Sequence, residues 1–160
     1  MRRTMTISDT TDEYYRQQQY VPGWQDLSTL LCSSILSAAD RNEGRIFLQH
    51  VGNQLALKFP LRQVETLGLL EDEVNHLLAR FNWGRVHIIV DEQGLTINHI
   101  AWPHAGQMDE LPTWTLGFAS LMEGCWKEWL RTQGGSELIA FTLVEGKPSL
   151  LVFRYEVERG

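Results

Sequence analysis

The chain has 160 residues, 43% of them apolar and 21% charged, with 20 acidic against 14 basic side chains for a formal net charge of −6. That size and balance fit one globular domain able to bury a core without disulfides or metals, and they exclude general nucleic-acid binding, which needs a basic face. No apolar run nears the roughly 18 residues of a membrane span, and two distant cysteines, Cys32 and Cys125, form neither a disulfide framework nor a zinc knuckle and are expected as buried free thiols.

Residues 1–22 read as a flexible arm, polar and Gln-rich, ending at the Val21-Pro22-Gly23 punctuation. The segment MRRTMTISDTTDEYYRQQQ has no apolar h-region, so it is not read as a signal peptide, and a cytoplasmic location is expected. Residues 23–160 are expected to form a single domain. A first helix runs from Trp24 to about residue 39 on Leu27, Leu30, Leu31, Ile35 and Leu36, with Asp26 or Ser28 as candidate cap. A second is predicted over residues 45–59, with Ile46, Val51, Leu55 and Phe59 on its inner face and Pro60 ending it. The third covers residues 64–82, its core stripe Val64, Leu67, Leu70, Val74, Leu77, Leu78 and Phe81, with Glu71, Asp72, Glu73 and Arg80 in water.

A hairpin follows, residues 85–90 and 95–102, turning at Asp91-Glu92-Gln93-Gly94. Gly84 stands where helix becomes strand. A glycine there supplies a left-handed helix cap or a close backbone approach, with Trp83 as an apolar plug. After a loop over residues 103–112, Thr113 is the expected N-cap of a helix running to residue 133 and stopped by Gly134-Gly135. Its apolar face is Trp114, Phe118, Leu121, Met122, Cys125 and Trp129. Gly117 and Gly124 lie on one side of it and cost about 1 kcal/mol each relative to alanine, so close packing against the sheet or another helix is expected there. Two strands close the chain, residues 137–144 and 149–157, around a turn at Glu145-Gly146-Lys147-Pro148. Three helices, a hairpin, a helix and a hairpin make an α+β fold with a small antiparallel sheet.

No motif for covalent chemistry stands out. GxSxG, GxGxxG and a P-loop are all missing, and the five histidines are scattered, with His99 and His104 poorly spaced as ligands. No metal or cofactor is expected. Of the carboxylates, Asp109-Glu110 suits a helix N-terminus. Glu123, beside the apolar face of the fourth helix, suits a salt bridge or a hydrogen bond to a neighbouring chain better than catalysis. Six tryptophans exceed the needs of a core this size; each is read first as core, with an interface role for some. Tyr14, Tyr15, Tyr20 and Trp24 cluster in and beside the polar arm. Flat aromatic rings next to amides suit either the C–H faces of sugar rings or a protein contact, and the residues leave that choice open.

The segments FNWGRV and LMEGCWKEWLRTQ, through Asn82-Trp83-Gly84, Glu123-Gly124, Trp129 and Gln133, resemble the bacterial cellulose synthase operon protein D family over roughly residues 24–155. The resemblance implies a non-catalytic accessory subunit, not an enzyme. It implies dimers assembled into an octameric ring whose N-terminal segments line passages that guide extrusion and alignment of nascent β-1,4-glucan into crystalline cellulose. Its partners would be glucan chains and the other components of the cellulose synthase complex, near the inner membrane but not inserted in it. It implies glucan contact in the N-terminal arm, where Tyr14, Tyr15, Tyr20 and Trp24 are the candidate residues on their own chemistry; Trp83, Gly84, Gly117 and Gly124 are read from their positions as structural. A weaker likeness to small-molecule-binding or scaffold domains of the vinyl-reductase type implies instead an apolar ligand between the fourth helix and the sheet. A glucan hydrolase, the remaining alternative, needs two facing carboxylates.

Overall fold

The computed structural model describes residues 21–38, 40–103, 111–135, 141–147 and 149–156. In chain order the elements are α1 (Trp24–Ala38), α2 (Arg41–Lys58), α3 (Leu67–Phe81), β1 (Arg85–Asp91), β2 (Gly94–Ile100), α4 (Leu111–Thr132), β3 (Phe141–Lys147) and β4 (Leu150–Glu156). The four strands form one antiparallel sheet in the order β1-β2-β4-β3. This is the α+β class that the order of apolar patterns implies.

The centre of the molecule is α4, buried on nearly all sides. Towards the sheet it presents Phe118 and Trp126, which stack on Trp102 and Phe141. Towards the other helices it presents glycines. The Cβ of an alanine at Gly124 would sit 1.9 Å from the Gln49 carbonyl oxygen, and one at Gly52 would sit 1.9 Å from that of Leu121. Reciprocal glycines thus let α2 and α4 cross backbone to backbone. Gly117 receives Cys32 of α1, 3.0 Å from an added Cβ.

This crossing changes the reading of α2. The helix starts at Arg41, capped by Asp40, whose side chain accepts from the Asn42 N–H. Its buried stripe is Gly44, Leu48, Gly52 and Ala56, while Ile46 and Val51, placed inside by their apolar character, are exposed. A glycine stripe has no hydrophobic signal of its own, so periodicity assigns the wrong face. At the start of α4, Thr113 is not the cap, because the helix already includes Leu111 and Pro112. Strand β3 runs further into the turn than residues 145–148 imply, reaching Lys147 with an irregularity between Leu143 and Glu145, while β4 begins at Leu150.

At the junction of α3 and β1 two residues divide the work assigned to Gly84. Asn82 takes the left-handed cap, with φ 59° and ψ 42°. Gly84, with φ 88°, makes the close approach: an added Cβ would lie 2.2 Å from the Ile100 carbonyl oxygen. Trp83 packs between Phe81 and Phe118, and its carbonyl accepts a 2.7 Å hydrogen bond from His99 Nε2. Two of the acids of α3 are engaged. Glu71 accepts from the Ile88 N–H at 2.8 Å, and Glu73 pairs with Arg62.

Candidate interaction surface

Of the four aromatic residues singled out for ligand contact, Tyr14, Tyr15 and Tyr20 lie outside the described residues. Trp24 opens α1 and is 73% exposed. The other five tryptophans belong to the core, four of them buried and Trp83 partly so.

Trp24 does not stand alone. On α1, Leu27, Leu30 and Leu31 are each about half exposed, as are Ile46, Phe47 and Leu57 on α2. At 3.6 residues per turn, Trp24, Leu27 and Leu31 share one stripe. Thr29, Cys32 and Leu36, which meet the rest of the molecule, fall on the opposite side. Helix α1 is therefore apolar on two faces, and the protein core uses only one. Apolar spacing alone assigns Leu27, Leu30 and Leu31 to the core. The signal that separates them is the doubling of the stripe: an amphipathic surface helix needs one apolar face.

The polar groups near α4 are built for support. Gln49 Nε2 donates to Glu123 Oε2 at 2.8 Å, and Arg45 Nη2 stands 3.6 Å from Glu123 Oε1. One turn further along, Asn53 Nδ2 donates to Glu128 Oε2 at 3.0 Å, and Arg131 donates to both oxygens of the same carboxylate. Arg45, Gln49 and Asn53 recur every four residues on α2, so they line one side of the glycine crossing. Burial raises the pKa of Glu123, against the pull of Arg45 and Gln49. The hydrogen bond from Arg131 lowers that of Glu128. Gln49 and Arg45, which reach Glu123, belong to its own chain, and Glu123 Oε1 accepts no hydrogen bond among the described residues. Asp109 and Glu110 are outside the described residues.

Gln133 acts as a clamp, accepting from the Val64 N–H at 3.0 Å and donating to the Arg62 carbonyl at 2.9 Å. Trp129 Nε1 donates to the Phe59 carbonyl. The residues carrying the family resemblance thus cap, plug and clamp the fold.

Both cysteines are free, Cys125 buried and Cys32 half-buried. Burial pushes the Cys32 thiol up to about 11 and Cys125 to about 12, so neither supplies a thiolate near neutral pH. Among the described residues no three His, Cys, Asp or Glu side chains are grouped to hold a metal ion, and no helix is long and apolar enough to cross a membrane.

The model of the cellulose synthase D-subunit family matches residues 10–156. Proteins named cellulose synthase operon protein D from Komagataeibacter xylinus and Komagataeibacter sucrofermentans are each 33% identical to this chain over 92 residues, covering 56% of this chain and 57% of theirs. A further protein of that name from Komagataeibacter xylinus is 31% identical over 99 residues, 60% of each chain. The matched segments thus span less than two thirds of the length of these relatives.

Proposed function

Because this chain belongs to the cellulose synthase D-subunit family, we propose that it is a non-catalytic accessory subunit of bacterial cellulose synthesis. In this reading it assembles from dimers into an octameric ring. The ring guides nascent β-1,4-glucan chains during extrusion and aligns them for crystallisation. Residues 23–160 form the folded unit, and residues 1–22 are an arm that meets glucan through Tyr14, Tyr15 and Tyr20, with Trp24 at its root. The ring works on the cytoplasmic side, beside the membrane-bound synthase and its other components.

The observation that carries the reading is the apolar, outward face of α1 and α2. A surface of this kind marks an interaction site, and a closed symmetric assembly covers it on every copy. Repetition also suits the ligand: many weak contacts around a ring hold a polymer that one shallow site releases. Glu123 and Glu128 are each engaged by α2 side chains, which favours a supporting role over acid-base chemistry on a glycosidic bond.

The test is solution mass by light scattering after size exclusion, on the full chain and on a chain beginning at Gly23. An octamer is expected from the full chain; a monomer or simple dimer overturns the ring. Loss of the octamer on truncation assigns the arm to assembly as well as to glucan. In a cellulose-producing bacterium lacking its own member of this family, the chain is expected to restore fibre crystallinity. Release of reducing sugar from cello-oligosaccharides would overturn the non-catalytic assignment.

A further inference from the structure

The assembly reading leaves open how two copies meet, and α1 carries an answer. Along it, Trp24, Leu27, Leu31, Ser34 and Ala38 follow one another at spacings of three, four, three and four. That is the spacing of the a/d seam in a two-helix pair. Thr29, Cys32 and Leu36, which face the molecule's own core, fall at the b and f positions, on the far side from the seam. The segment from Trp24 to Ala38 contains no Lys, Arg or Glu, and its one acid, Asp26, lies off the seam. Depletion of charge marks the buried centre of an interface; a solvated surface helix carries charge on its outer face.

The order of sizes along the seam fixes the direction. Bulk lies in the first half, as Trp24, Leu27 and Leu31. The second half holds the small Ser34 and Ala38. A parallel pair sets indole against indole at one end and leaves two small residues facing each other at the other. An antiparallel pair sets Trp24 beside Ser34 and Ala38 of the second copy, and Leu27 against Leu31 at the centre. It also places opposite helix termini side by side, which the helix dipoles favour. Such a pair is two-fold symmetric, so both copies use the same patch.

A stable interface covers roughly 1,200–2,000 Å² in total, more than a seam about 22 Å long supplies by itself. Phe47 and Val51, both exposed on the helix packed against α1, are the apolar side chains available to enlarge that area. We propose that α1 is the two-fold seam of this protein, pairing antiparallel with α1 of a second copy. The proposal rests on the assembly reading above and adds to it a surface, a direction and a register.

Disulfide trapping tests it on the full chain. Chains carrying Leu27→Cys mixed with chains carrying Leu31→Cys are expected to give a covalent dimer on mild oxidation, and neither variant alone is expected to. The unsubstituted chain is the control, since Cys32 lies off the seam and is expected to give none. Covalent dimer from either variant alone indicates a parallel pair and overturns the direction. A chain that scatters light as a monomer overturns both the assembly reading and the seam. An octamer without any trapped dimer overturns the seam alone. As a second measurement, Leu31→Asp is expected to lower the mass at least two-fold with an unchanged circular dichroism spectrum, because Leu31 is exposed within one chain. An unchanged mass overturns the seam.

Discussion

The glycines show what a missing methyl group does in this protein. At Gly52 and Gly124 the atom that an added Cβ would strike is a backbone carbonyl of the opposite helix, 1.9 Å away. Neither helix can yield without losing the crossing, so Gly52→Ala or Gly124→Ala is expected to cost about 3 kcal/mol or more in urea unfolding. Gly117→Ala meets a side chain and no backbone atom, with Cys32 Cβ 3.0 Å and Sγ 3.2 Å away. Its cost is expected to be clearly smaller than at the other two sites, because α1 has only to shift by a few tenths of an ångström and helix propensity offsets about 1 kcal/mol. Equal losses at all three sites would contradict this account. His99 offers a second test. It is fully buried, donates to the Trp83 carbonyl through Nε2, and burial pulls its pKa from 6.5 down to about 4. The folded state therefore holds the ring neutral. Stability from this group is complete above pH 6.5 and falls away as pH drops towards 4, by on the order of 3 kcal/mol. His99→Gln keeps a donor for Trp83 and removes the titration. Its urea midpoint is expected to depend less on pH between 7 and 4.5, and parallel profiles for the two proteins would refute the assignment.

At the scale of elements, α3 protects the sheet. Asn75 donates to the Val86 carbonyl at 2.9 Å and accepts from the Val86 N–H at 2.7 Å, while Glu71 accepts from Ile88. Two side chains of a helix thereby close the outer edge of β1 as a neighbouring strand would, and an edge left open invites pairing with other chains. Asn75→Leu leaves both Val86 groups without that partner and is expected to cost about 2 kcal/mol. It is also expected to increase light scattering on incubation, as the edge opens. A variant that unfolds at the same urea concentration as the parent would show the contact to be incidental. Neither Asn75 nor Glu71 announces this role in the sequence: Asn75 belongs to no motif, and Glu71 reads as a solvated helix face. The hydrogen-bonding partner of each lies on a strand whose position depends on the turn at Asn82 to Gly84.

At the scale of the whole molecule, the proposed assembly through the apolar face of α1 and α2 has a defined response to solvent. An interface held by Trp24, Leu27, Leu31, Phe47 and Val51 has little charge to screen. Its mass by light scattering is expected to hold or rise from low salt to about 0.5 M, whereas exposed ion pairs weaken over that range. Dissociation by salt alone would place charged groups, not this face, at the centre of the interface. The acidic balance of the chain, −6 formally, acts in the same direction, since salt also screens repulsion between copies.

The sequence by itself determined the elements. Apolar periods, Pro60, the Asp91-to-Gly94 turn and the Gly134-Gly135 stop mark four helices and two hairpins, because these signals are local and each residue's own chemistry sets them. It also determined the family, through short segments whose residues cap and clamp the fold. The tertiary structure decided which faces meet. Helix α2 turns its glycines inward because only there do two backbones fit at the crossing, and this sends Ile46, Phe47 and Val51 outward. With α1 bound through Thr29, Cys32 and Leu36, the stripe of Trp24, Leu27 and Leu31 is left facing away from the core. A leucine has the same hydrophobicity in a core as on an interface; only the packing of the neighbouring helices distinguishes the two.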